Sequence, residues 1–238
     1  MKIIVLAAGY ATRMYPLTLN YPKALLPVED KKVIDLVLKD VLYKEDITIV
    51  TNNRFNIYFQ VWNTPFQCNL INDKSNTVND ARGVIKDLQL ALENVNEDVL
   101  VLGADNVLDF NIYEFINFAK DLNYSSCMYY IEKDVYKLQK TGIACILNDT
   151  LIELQEKPRI PKTQFAVPPF YYFKEKDLDF IKNYNSEFNC FGNLLQALCQ
   201  RTVVKCFKMP GKRIDYGTLE AFKDLDLDYI YMEQQIAL

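Results

Sequence analysis

Residues 1–28 read MKIIVLAAGYATRMYPLTLNYPKALLPV. The apolar run at residues 3–6 predicts a buried strand, and the small residues after it predict a turn whose backbone can approach a ligand closely. Successive N–H groups in such a turn bind anions, and the basic side chains of Arg13 and Lys23 follow. The stretch therefore predicts a strand that opens into a polyphosphate-binding loop made of Leu6, Ala7, Ala8, Gly9, Tyr10, Ala11 and Thr12.

The composition of the chain indicates one sizeable α/β domain over residues 1–238. The 238 residues are 50% hydrophobic, which is enough for an extensive core. The net charge of −4 argues against a general nucleic-acid-binding protein. Apolar runs long enough to span a membrane are absent, and the N-terminus enters a strand directly rather than a signal peptide. We expect a soluble, cytoplasmic protein with no nucleic-acid or membrane partner.

The chain contains no histidine and six cysteines. Catalysis by Ser-His-Asp or Cys-His arrangements and histidine-ligated metal sites are therefore excluded. The cysteines form no C-x-x-C pair, which indicates reduced, mostly buried thiols. The remaining chemistry depends on carboxylates, Lys, Arg, backbone groups and a hard metal ion. These groups suit phosphoryl and nucleotidyl transfer, in which positioning and charge neutralisation supply most of the catalysis.

Apolar strand patterns alternate with helical periodicity in the first half of the chain. The patterns predict strands near 2–6, 47–51, 99–102, 126–131, 143–147, 151–155, 169–173 and 203–208. They predict helices over 33–42, 84–95 and 112–119, and a closing helix over 224–238. This alternation indicates βαβ units and a largely parallel sheet, and the denser strands after residue 125 predict that the sheet becomes mixed. Ligands should bind at the carboxyl ends of its strands.

Residues 1–28 resemble the signature of the nucleotidyltransferases that make nucleoside-diphosphate sugars, L-A-A-G-x-G-T-R-x-x-P-L-T followed by P-K-x-L-L-P-V. Ala11 stands where the family usually has its second glycine, and its Cβ excludes some positive-φ geometries, which predicts a tighter loop. The resemblance implies a Rossmann-like three-layer αβα sandwich with a mixed, mostly parallel central sheet. It also implies Mg²⁺-dependent transfer of a nucleoside monophosphate from CTP, dTTP or UTP to a phosphorylated small molecule, with a sugar 1-phosphate as the first expectation.

Two aspartates match the positions that hold Mg²⁺ in this family. Asp105 follows the predicted strand 99–102 in Gly-Ala-Asp-Asn, where the family has a G-D-N triplet without the intervening alanine. Asp215 lies in Asp-Tyr-Gly-Thr, which resembles the family's D-x-G-T segment. Two carboxylates that act together with triphosphate oxygens and waters suit Mg²⁺. The simpler alternatives are that Asp105 caps a loop and that Asp215 pairs with Arg213.

The segment Glu156-Lys157-Pro158 resembles the E-K-P segment that holds the acceptor in sugar-1-phosphate nucleotidylyltransferases. The resemblance assigns sugar hydroxyls to Glu156 and the acceptor phosphate to Lys157, and it brings the backbone at Gly142 close to the sugar. It also assigns the departing β,γ-phosphates to Arg13 and the charge near the α-phosphate to Lys23.

The acceptor segment departs from the family pattern at residues 168 and 169. Pro168-Pro169 replaces a Thr-Gly pair, and proline has no N–H to donate to a hydroxyl. This leaves open a non-sugar phosphate such as phosphocholine, on which nearby aromatic residues could pack. These aromatic residues are Phe165, Phe170, Tyr171 and Tyr172, and at strand spacing they also fit a core.

The expected base-reading segment lies around residues 76–83. Asn79, Arg82 and Gly83 are candidates for contacting the base or the triphosphate, although they could equally do no more than begin a helix. A non-catalytic nucleotide-binding module and a glycosyltransferase of similar architecture stay open as alternatives. Many family members form dimers or tetramers, so a homo-oligomer is also open.

Overall fold

The computed structural model describes residues 1–41, 45–187 and 189–222, so the predicted closing helix over 224–238 lies outside the described residues. Within them the chain forms fourteen strands: β1 (Lys2–Leu6), β2 (Pro27–Val28), β3 (Lys31–Lys32), β4 (Asp46–Thr51), β5 (Cys68–Asn72), β6 (Val99–Gly103), β7 (Asn106–Leu108), β8 (Ser125–Ile131), β9 (Gly142–Leu147), β10 (Thr150–Glu156), β11 (Phe165–Val167), β12 (Phe170–Phe173), β13 (Val204–Lys208) and β14 (Arg213–Asp215).

The described helices lie between these strands. They are α1 (Val33–Val37), α2 (Asn56–Val61), α3 (Val84–Leu92), α4 (Tyr113–Lys120), α5 (Val135–Leu138), α6 (Glu175–Asn183) and α7 (Phe191–Cys199). Four 3₁₀ turns accompany them, at Thr12–Met14, Lys23–Leu25, Val78–Asp80 and Leu219–Phe222.

Ten strands form one mixed sheet in the order β11-β9-β10-β13-β8-β12-β6-β1-β4-β5, with β11 also paired to β8. The strands β5, β4, β1 and β6 are all parallel, while β12, β10 and β11 run opposite to β1. The mixed sheet is therefore as expected: seven of its ten strands run in the direction of β1, and each of its antiparallel pairs includes a strand after residue 125. Two short ribbons, β2–β3 and β14–β7, lie outside this sheet.

Helices cover both faces of the sheet because the side chains of its central strands alternate between two cores. Ile3 and Val5 of β1 belong to one core with residues of α1, α2 and α4. Ile4 belongs to the other core with residues of α3, α6 and α7. Successive side chains of a strand point to opposite faces, so a continuous apolar strand such as β1 requires cover on both sides. This arrangement is the predicted three-layer sandwich.

The helix boundaries differ from the sequence expectations. Helix α1 ends at Val37, where the prediction extended to residue 42, and α3 ends at Leu92 rather than 95. Helix α4 begins at Tyr113, one residue after the predicted start, and the side-chain oxygen of the preceding Asn111 accepts a hydrogen bond from the Tyr113 N–H at 2.8 Å. No helix within the described ranges is both long and apolar enough to cross a membrane.

Candidate active site

Two cavities lie at the carboxyl edge of the parallel strands, where β1 and β6 end side by side with Leu6 opposite Gly103. The large cleft has a volume of about 430 Å³, and the small hollow beside it has about 130 Å³. Asp105 lines both cavities. Ligands of open α/β sheets bind at this edge, so the two cavities form one candidate site with Asp105 at its centre.

The predicted residues divide between the two cavities. The small hollow is lined by Leu6, Ala7, Gly9, Ala11, Lys23, Ala24, Ala104 and Asp105. The charged and predicted residues of the large cleft are Arg13, Asp105, Lys140, Gly142, Glu156, Lys157, Arg213 and Asp215. Ala8, Tyr10 and Thr12 belong to the same loop as the hollow but line neither cavity.

The loop after β1 is held in place by hydrogen bonds to two of its carbonyl groups and by the side chain of Tyr10. The buried Asn52 amide donates to the Ala8 carbonyl at 2.9 Å, and the buried Thr18 hydroxyl donates to the Ala11 carbonyl at 2.8 Å. The Tyr10 hydroxyl contacts the Ser75 hydroxyl at 3.1 Å. Within the described part of the chain, the backbone N–H groups from Ala8 to Thr12 donate no hydrogen bond. A loop with unused N–H groups is what anion binding requires, and anion binding by this loop stays a prediction.

Ala11 adopts a left-handed backbone conformation, with φ 48° and ψ 43°. The Cβ at this position therefore does not prevent the positive φ that the loop requires, and the residue remains in the part of that region that L-residues can reach. Alanine is strained there relative to glycine. The hydrogen bonds from Thr18 to the Ala11 carbonyl and from the Met14 N–H to the same oxygen stabilise the conformation.

Asp105 is held between the two cavities by polar contacts on both carboxylate oxygens. Its Oδ2 pairs with the Lys23 ammonium, and its Oδ1 accepts a hydrogen bond from the Asn106 amide at 2.7 Å. Burial by itself raises the pKa of Asp105, but the charge and hydrogen bond of Lys23, the amide of Asn106 and the charge of Arg213 outweigh it and lower the pKa. Asp105 is therefore an ionised carboxylate with both oxygens fixed.

The ribbon β14–β7 brings Asp215 to this carboxylate, because Asp215 is the register partner of Asn106. The Asp215 Oδ1 accepts a hydrogen bond from the Gly217 N–H at 2.9 Å. A Cβ built on Gly217 would lie 2.6 Å from that Oδ1 and 3.6 Å from the Asp105 Oδ2. Oxygens of both carboxylates thus lie around one point at the mouth of the cleft.

These two carboxylates supply a donor set that fits a hard divalent cation such as Mg²⁺. Among the described residues, no three His, Cys, Asp or Glu side chains form a complete metal cage. Mg²⁺ commonly takes only one or two protein carboxylates and completes its shell with water and phosphate oxygens. The alternative pairing is also present, because Arg213 Nη1 lies 3.1 Å from the Asp215 Oδ2.

Glu156 and Lys157 lie at the opposite wall of the large cleft. Lys157 adopts φ 45°, and its N–H donates to the Thr141 carbonyl at 3.1 Å. A left-handed backbone at a lysine is uncommon, and such strain is concentrated at functional sites. The Lys157 ammonium lies 3.4 Å from the Glu156 Oε1 with its side chain 61% exposed, so it can turn toward a ligand.

Two glycines make room for the Glu156 carboxylate. A Cβ on Gly192, at the start of α7, would lie 2.1 Å from the Glu156 Oε2. A Cβ on Gly142 would lie 3.7 Å from the same oxygen and 3.3 Å from a Leu154 methyl group. The close approach of Gly192 therefore places the Glu156 side chain beside the first turn of α7.

The two prolines form part of the wall of the large cleft. The Pro169 carbonyl accepts a hydrogen bond from the Gly103 N–H at 2.9 Å, which attaches this wall to the end of β6. Of the four aromatic residues considered, Tyr171 lines the cleft and stacks on Phe191 with ring centroids 4.3 Å apart. Phe170, Tyr171 and Tyr172 are all buried and belong to the core, as the simpler reading of their strand spacing predicts.

The expected base-reading residues do not line either of these two cavities. Asn79 and Arg82 are exposed, and Gly83, with φ 83°, begins α3. A Cβ on Gly83 would lie 2.3 Å from the Asn189 amide nitrogen, so this glycine permits a contact between α3 and the chain before α7. The Asn189 amide also donates to the Arg82 carbonyl at 2.6 Å. Both the helix-start role and a contact with a base stay open for this segment.

Helix α7 is the part of the site that sequence reasoning missed. It contributes Phe191, Gly192 and Leu195 to the large cleft. Its buried side chains Phe191, Leu194, Leu195 and Leu198 repeat at helical spacing, so the same periodicity analysis could have found it. Lys140, another cleft residue, follows a single-turn helix and gives no such signal.

Several known proteins that this chain resembles are named as nucleotidyltransferases. The family model described as "Nucleotidyl transferase" matches residues 2–230. A Sulfolobus acidocaldarius protein, provisionally named mannose-1-phosphate guanyltransferase, is 28% identical over 98% of this chain and 64% of its own length. A glucose-1-phosphate thymidylyltransferase of Neisseria meningitidis is 27% identical over 76% of this chain and 64% of its own length. This chain therefore spans somewhat less than two thirds of either relative.

A solved structure supports the fold. The structure described as UDP-glucose pyrophosphorylase complexed with UDP-glucose matches with a TM-score of 0.80 over 98% of each chain, at 18% sequence identity. At that identity the likeness establishes the architecture of the sheet and its helices.

Proposed function

This chain belongs to the nucleotidyl transferase family, and we propose that it transfers a nucleoside monophosphate from a nucleoside triphosphate to a sugar 1-phosphate. The position of Asp105, shared by the small hollow and the large cleft, is the observation that carries this proposal. A residue in that position can act on a triphosphate in one cavity and on an acceptor in the other. The names of the similar proteins, which describe nucleotidyl transfer to sugar 1-phosphates, support the same chemistry.

The proposed reaction forms one phosphoanhydride bond and breaks another. An oxygen of the acceptor phosphate attacks the α-phosphorus, the bond between the α-phosphorus and its bridging oxygen breaks, and pyrophosphate leaves with that oxygen. A phosphate monoester has a second pKa near 6 and is mostly dianionic at pH 7. The nucleophile therefore needs no general base, which is consistent with a chain that contains no histidine.

The residues of the site have complementary tasks in this reaction. The N–H groups from Ala8 to Thr12 and the Arg13 guanidinium bind the triphosphate. Lys23 stabilises charge near the α-phosphate, and Lys157 binds the attacking phosphate. Mg²⁺ held by Asp105 and Asp215 would supply charge neutralisation at the reacting phosphates. Holding two anions together against their repulsion is the largest contribution that these cations can make.

The nucleotide is proposed to be a pyrimidine triphosphate, CTP, dTTP or UTP. The relatives are named for guanylyl, thymidylyl, uridylyl and adenylyl transfer, so their names do not select a base. The choice therefore requires a direct measurement on this chain.

A second acceptor class is favoured by one feature of the large cleft. The wall at Pro168 and Pro169 has no N–H to offer, and the stacked pair Tyr171–Phe191 is adjacent to it. Such a wall suits a phosphate ester with an apolar or quaternary ammonium group, such as phosphocholine, better than one with many hydroxyls.

The test begins with pyrophosphate release from CTP, dTTP, UTP, GTP and ATP in the presence of Mg²⁺. Each nucleotide is combined with a panel of sugar 1-phosphates and with phosphocholine. We expect release that requires one pyrimidine nucleotide and one sugar 1-phosphate together. Release with phosphocholine alone would select the second acceptor class, and no release from any pair would refute nucleotidyl transfer.

A matched pair of lysine variants then tests the acceptor site. Lys157→Met removes a cation that lines the large cleft, and we expect it to raise the acceptor KM about tenfold or more. Lys162→Met removes an exposed lysine that pairs with Glu153 at 2.7 Å outside the cleft, and we expect little change. Equal effects of the two substitutions would contradict the assignment of Lys157.

A further inference from the structure

Arg213 is the most enclosed of the four cations that line the large cleft. Arg13, Lys140 and Lys157 are exposed, whereas the Arg213 side chain is 16% exposed. Its Nη2 donates to the Tyr130 hydroxyl at 3.0 Å, and its guanidinium carbon lies 5.1 Å from the centre of the Tyr130 ring. The guanidinium is therefore fixed against Tyr130.

The other terminal nitrogen of Arg213 connects it to the candidate metal site. Nη1 donates to the Asn106 side-chain oxygen and to the Asp215 Oδ2, the latter at 3.1 Å. Asn106 in turn donates to Asp105. Arg213 is thus part of a continuous hydrogen-bonded chain that includes both carboxylates.

These contacts leave some of the N–H groups of the Arg213 guanidinium without an acceptor among the described residues. A guanidinium has five N–H groups, and three of them serve Asn106, Asp215 and Tyr130. Within the described residues, the buried Nε has no hydrogen-bond partner. The second N–H of Nη2 is also unused among the described residues, and a guanidinium that lines the cleft can offer it to a phosphate oxygen.

All four carboxylate oxygens of Asp105 and Asp215 already have a partner inside the protein. Lys23 and Asn106 hold Asp105, while Gly217 and Arg213 hold Asp215. A divalent cation between the two carboxylates must approach two resident cations at short range. Of these two, Arg213 holds the more exposed carboxylate, because the Asp215 side chain is 48% exposed and that of Asp105 is 22% exposed.

We propose that Arg213 neutralises Asp215 while no metal is bound, and that it binds the phosphate of the acceptor once a divalent cation occupies Asp215. This inference rests on the proposed function. It makes Arg213 a ligand of the second substrate, and it explains why an arginine, rather than an uncharged residue, lies two positions before the metal-binding aspartate. It also predicts that the free protein binds metal weakly until nucleotide and acceptor offer other partners to the resident cations.

The first test measures Mn²⁺ binding to the full chain by electron paramagnetic resonance, without nucleotide or acceptor. Arg213→Gln removes the competing cation, and we expect it to bind Mn²⁺ about tenfold more tightly than the unmodified protein. A merely structural role for Arg213 would lower the melting temperature without strengthening Mn²⁺ binding. Unchanged or weaker Mn²⁺ binding in the folded variant would overturn the inference.

The second test measures the acceptor KM of the same variant in the pyrophosphate-release assay. We expect an increase of about tenfold or more, with a much smaller change in the nucleotide KM. Tyr130→Phe removes the Nη2 acceptor and keeps the contact between Arg213 and Asp215, so its Mn²⁺ affinity should stay within about twofold of the unmodified protein. An acceptor KM that Arg213→Gln does not change would contradict the phosphate assignment.

Arg213→Lys covers the case in which Arg213→Gln does not fold. Lysine keeps the charge but cannot span Asp215, Asn106 and Tyr130 at once. We expect Mn²⁺ binding to strengthen and the acceptor KM to rise, both by less than in Arg213→Gln. If Arg213→Lys has the same Mn²⁺ affinity and the same acceptor KM as the unmodified protein, the inference is overturned.

Failure of this inference can be told apart from failure of the proposed function. If the unmodified protein releases pyrophosphate, Lys157→Met loses acceptor affinity and Arg213→Gln changes nothing, then the function stands and the inference fails. If no donor and acceptor pair reacts but Arg213→Gln tightens Mn²⁺ binding, then the function fails while the pairing role of Arg213 at Asp215 stands.

Discussion

The loop at residues 7–13 and the cleft wall around Glu156 and Lys157 lie at the same edge of the sheet, yet different contacts hold them. The loop is fixed through its carbonyl groups by buried side chains such as Asn52 and Thr18, and within the described residues the N–H groups from Ala8 to Thr12 donate no hydrogen bond. The cleft wall is arranged by charged side chains and by glycines such as Gly192, which leave room for them.

This difference matches the kind of ligand that each region is proposed to bind. Polyphosphate is the same in every nucleoside triphosphate, so a backbone cradle that recognises only anions is sufficient on that side. The acceptor differs from enzyme to enzyme, and side chains can be exchanged without changing the backbone. We therefore propose that the loop defines the chemistry, whereas the cleft wall defines the acceptor.

The largest effect should come from Asp105→Asn, because Asp105 is the one predicted residue that both cavities share. Loss of its charge removes a metal ligand and leaves Lys23 without its counter-ion. We expect turnover to fall by about 10²- to 10⁴-fold and Mn²⁺ binding to weaken. Asp149→Asn is the control, since Asp149 lies at φ 55° in the turn between β9 and β10, where Asn is well tolerated. Turnover within about twofold of the unmodified protein in Asp105→Asn would remove the basis for treating the two cavities as one site.

Asp87→Asn tests how a buried carboxyl group of α3 affects the stability of the fold. Burial, followed by the charge of Asp73, raises the pKa of Asp87 to about 7 despite the nearby Arg82. The folded protein therefore holds a proton at Asp87 that the unfolded chain releases near pH 4, so stability falls as the pH rises from about 4 to 7. The Asp87 Oδ1 has no hydrogen-bond partner among the described residues. We expect Asp87→Asn to raise the free energy of unfolding by about 2 to 4 kcal/mol at pH 8 and to change it little at pH 4.

Urea unfolding at pH 4.5, 6 and 8 measures this effect. The difference in unfolding free energy between Asp87→Asn and the unmodified protein should grow with pH across that range. A difference that stays constant with pH would show that Asp87 does not titrate in this window, and that the substitution acts through packing alone.

Gly192→Ala and Gly9→Ala contrast the two regions directly. A Cβ on Gly192 would meet the Glu156 carboxylate at 2.1 Å and a Leu154 methyl group at 2.9 Å, so Glu156 must move. A Cβ on Gly9 meets nothing within 4 Å. We expect Gly192→Ala to raise the acceptor KM about tenfold with a lower melting temperature, and Gly9→Ala to keep the melting temperature while raising the nucleotide KM. If both variants raise the KM of the same substrate, the proposed division between a nucleotide-binding loop and an acceptor-binding cleft wall is wrong.

Ala11→Gly should give the smallest effect. Ala11 has φ 48°, and glycine adopts that conformation without the strain of a Cβ. We expect a gain of about 0.5 to 1 kcal/mol, which for a domain of this size raises the melting temperature by about 1 to 4 °C. A lower melting temperature in Ala11→Gly would show that the flexibility gained by the unfolded chain outweighs the strain that is relieved.

The loop and the central strands could be predicted from sequence because their signals are local. Residues 3–6 are apolar and contiguous, and β1 forms over Lys2–Leu6. The small residues and Arg13 follow within one turn. The residues proposed to bind the acceptor gave a weaker sequence signal, because Glu156, Gly192 and Arg213 come from segments that are far apart in the chain. Helix α7 went unpredicted even though its apolar spacing is regular.

The sequence by itself determined the class of fold and the exclusion of histidine chemistry, and it predicted the anion-binding loop and the two metal-binding aspartates. These follow from the type and spacing of neighbouring residues. Only the tertiary structure decided that Asp105 borders both cavities, that Asn106 and Asp215 pair across the ribbon β7–β14, and that Arg213 also donates to Asn106 and Tyr130. The physical reason is that β-strand pairing joins segments separated by about a hundred residues, and no local pattern specifies which distant side chains will share a hydrogen bond.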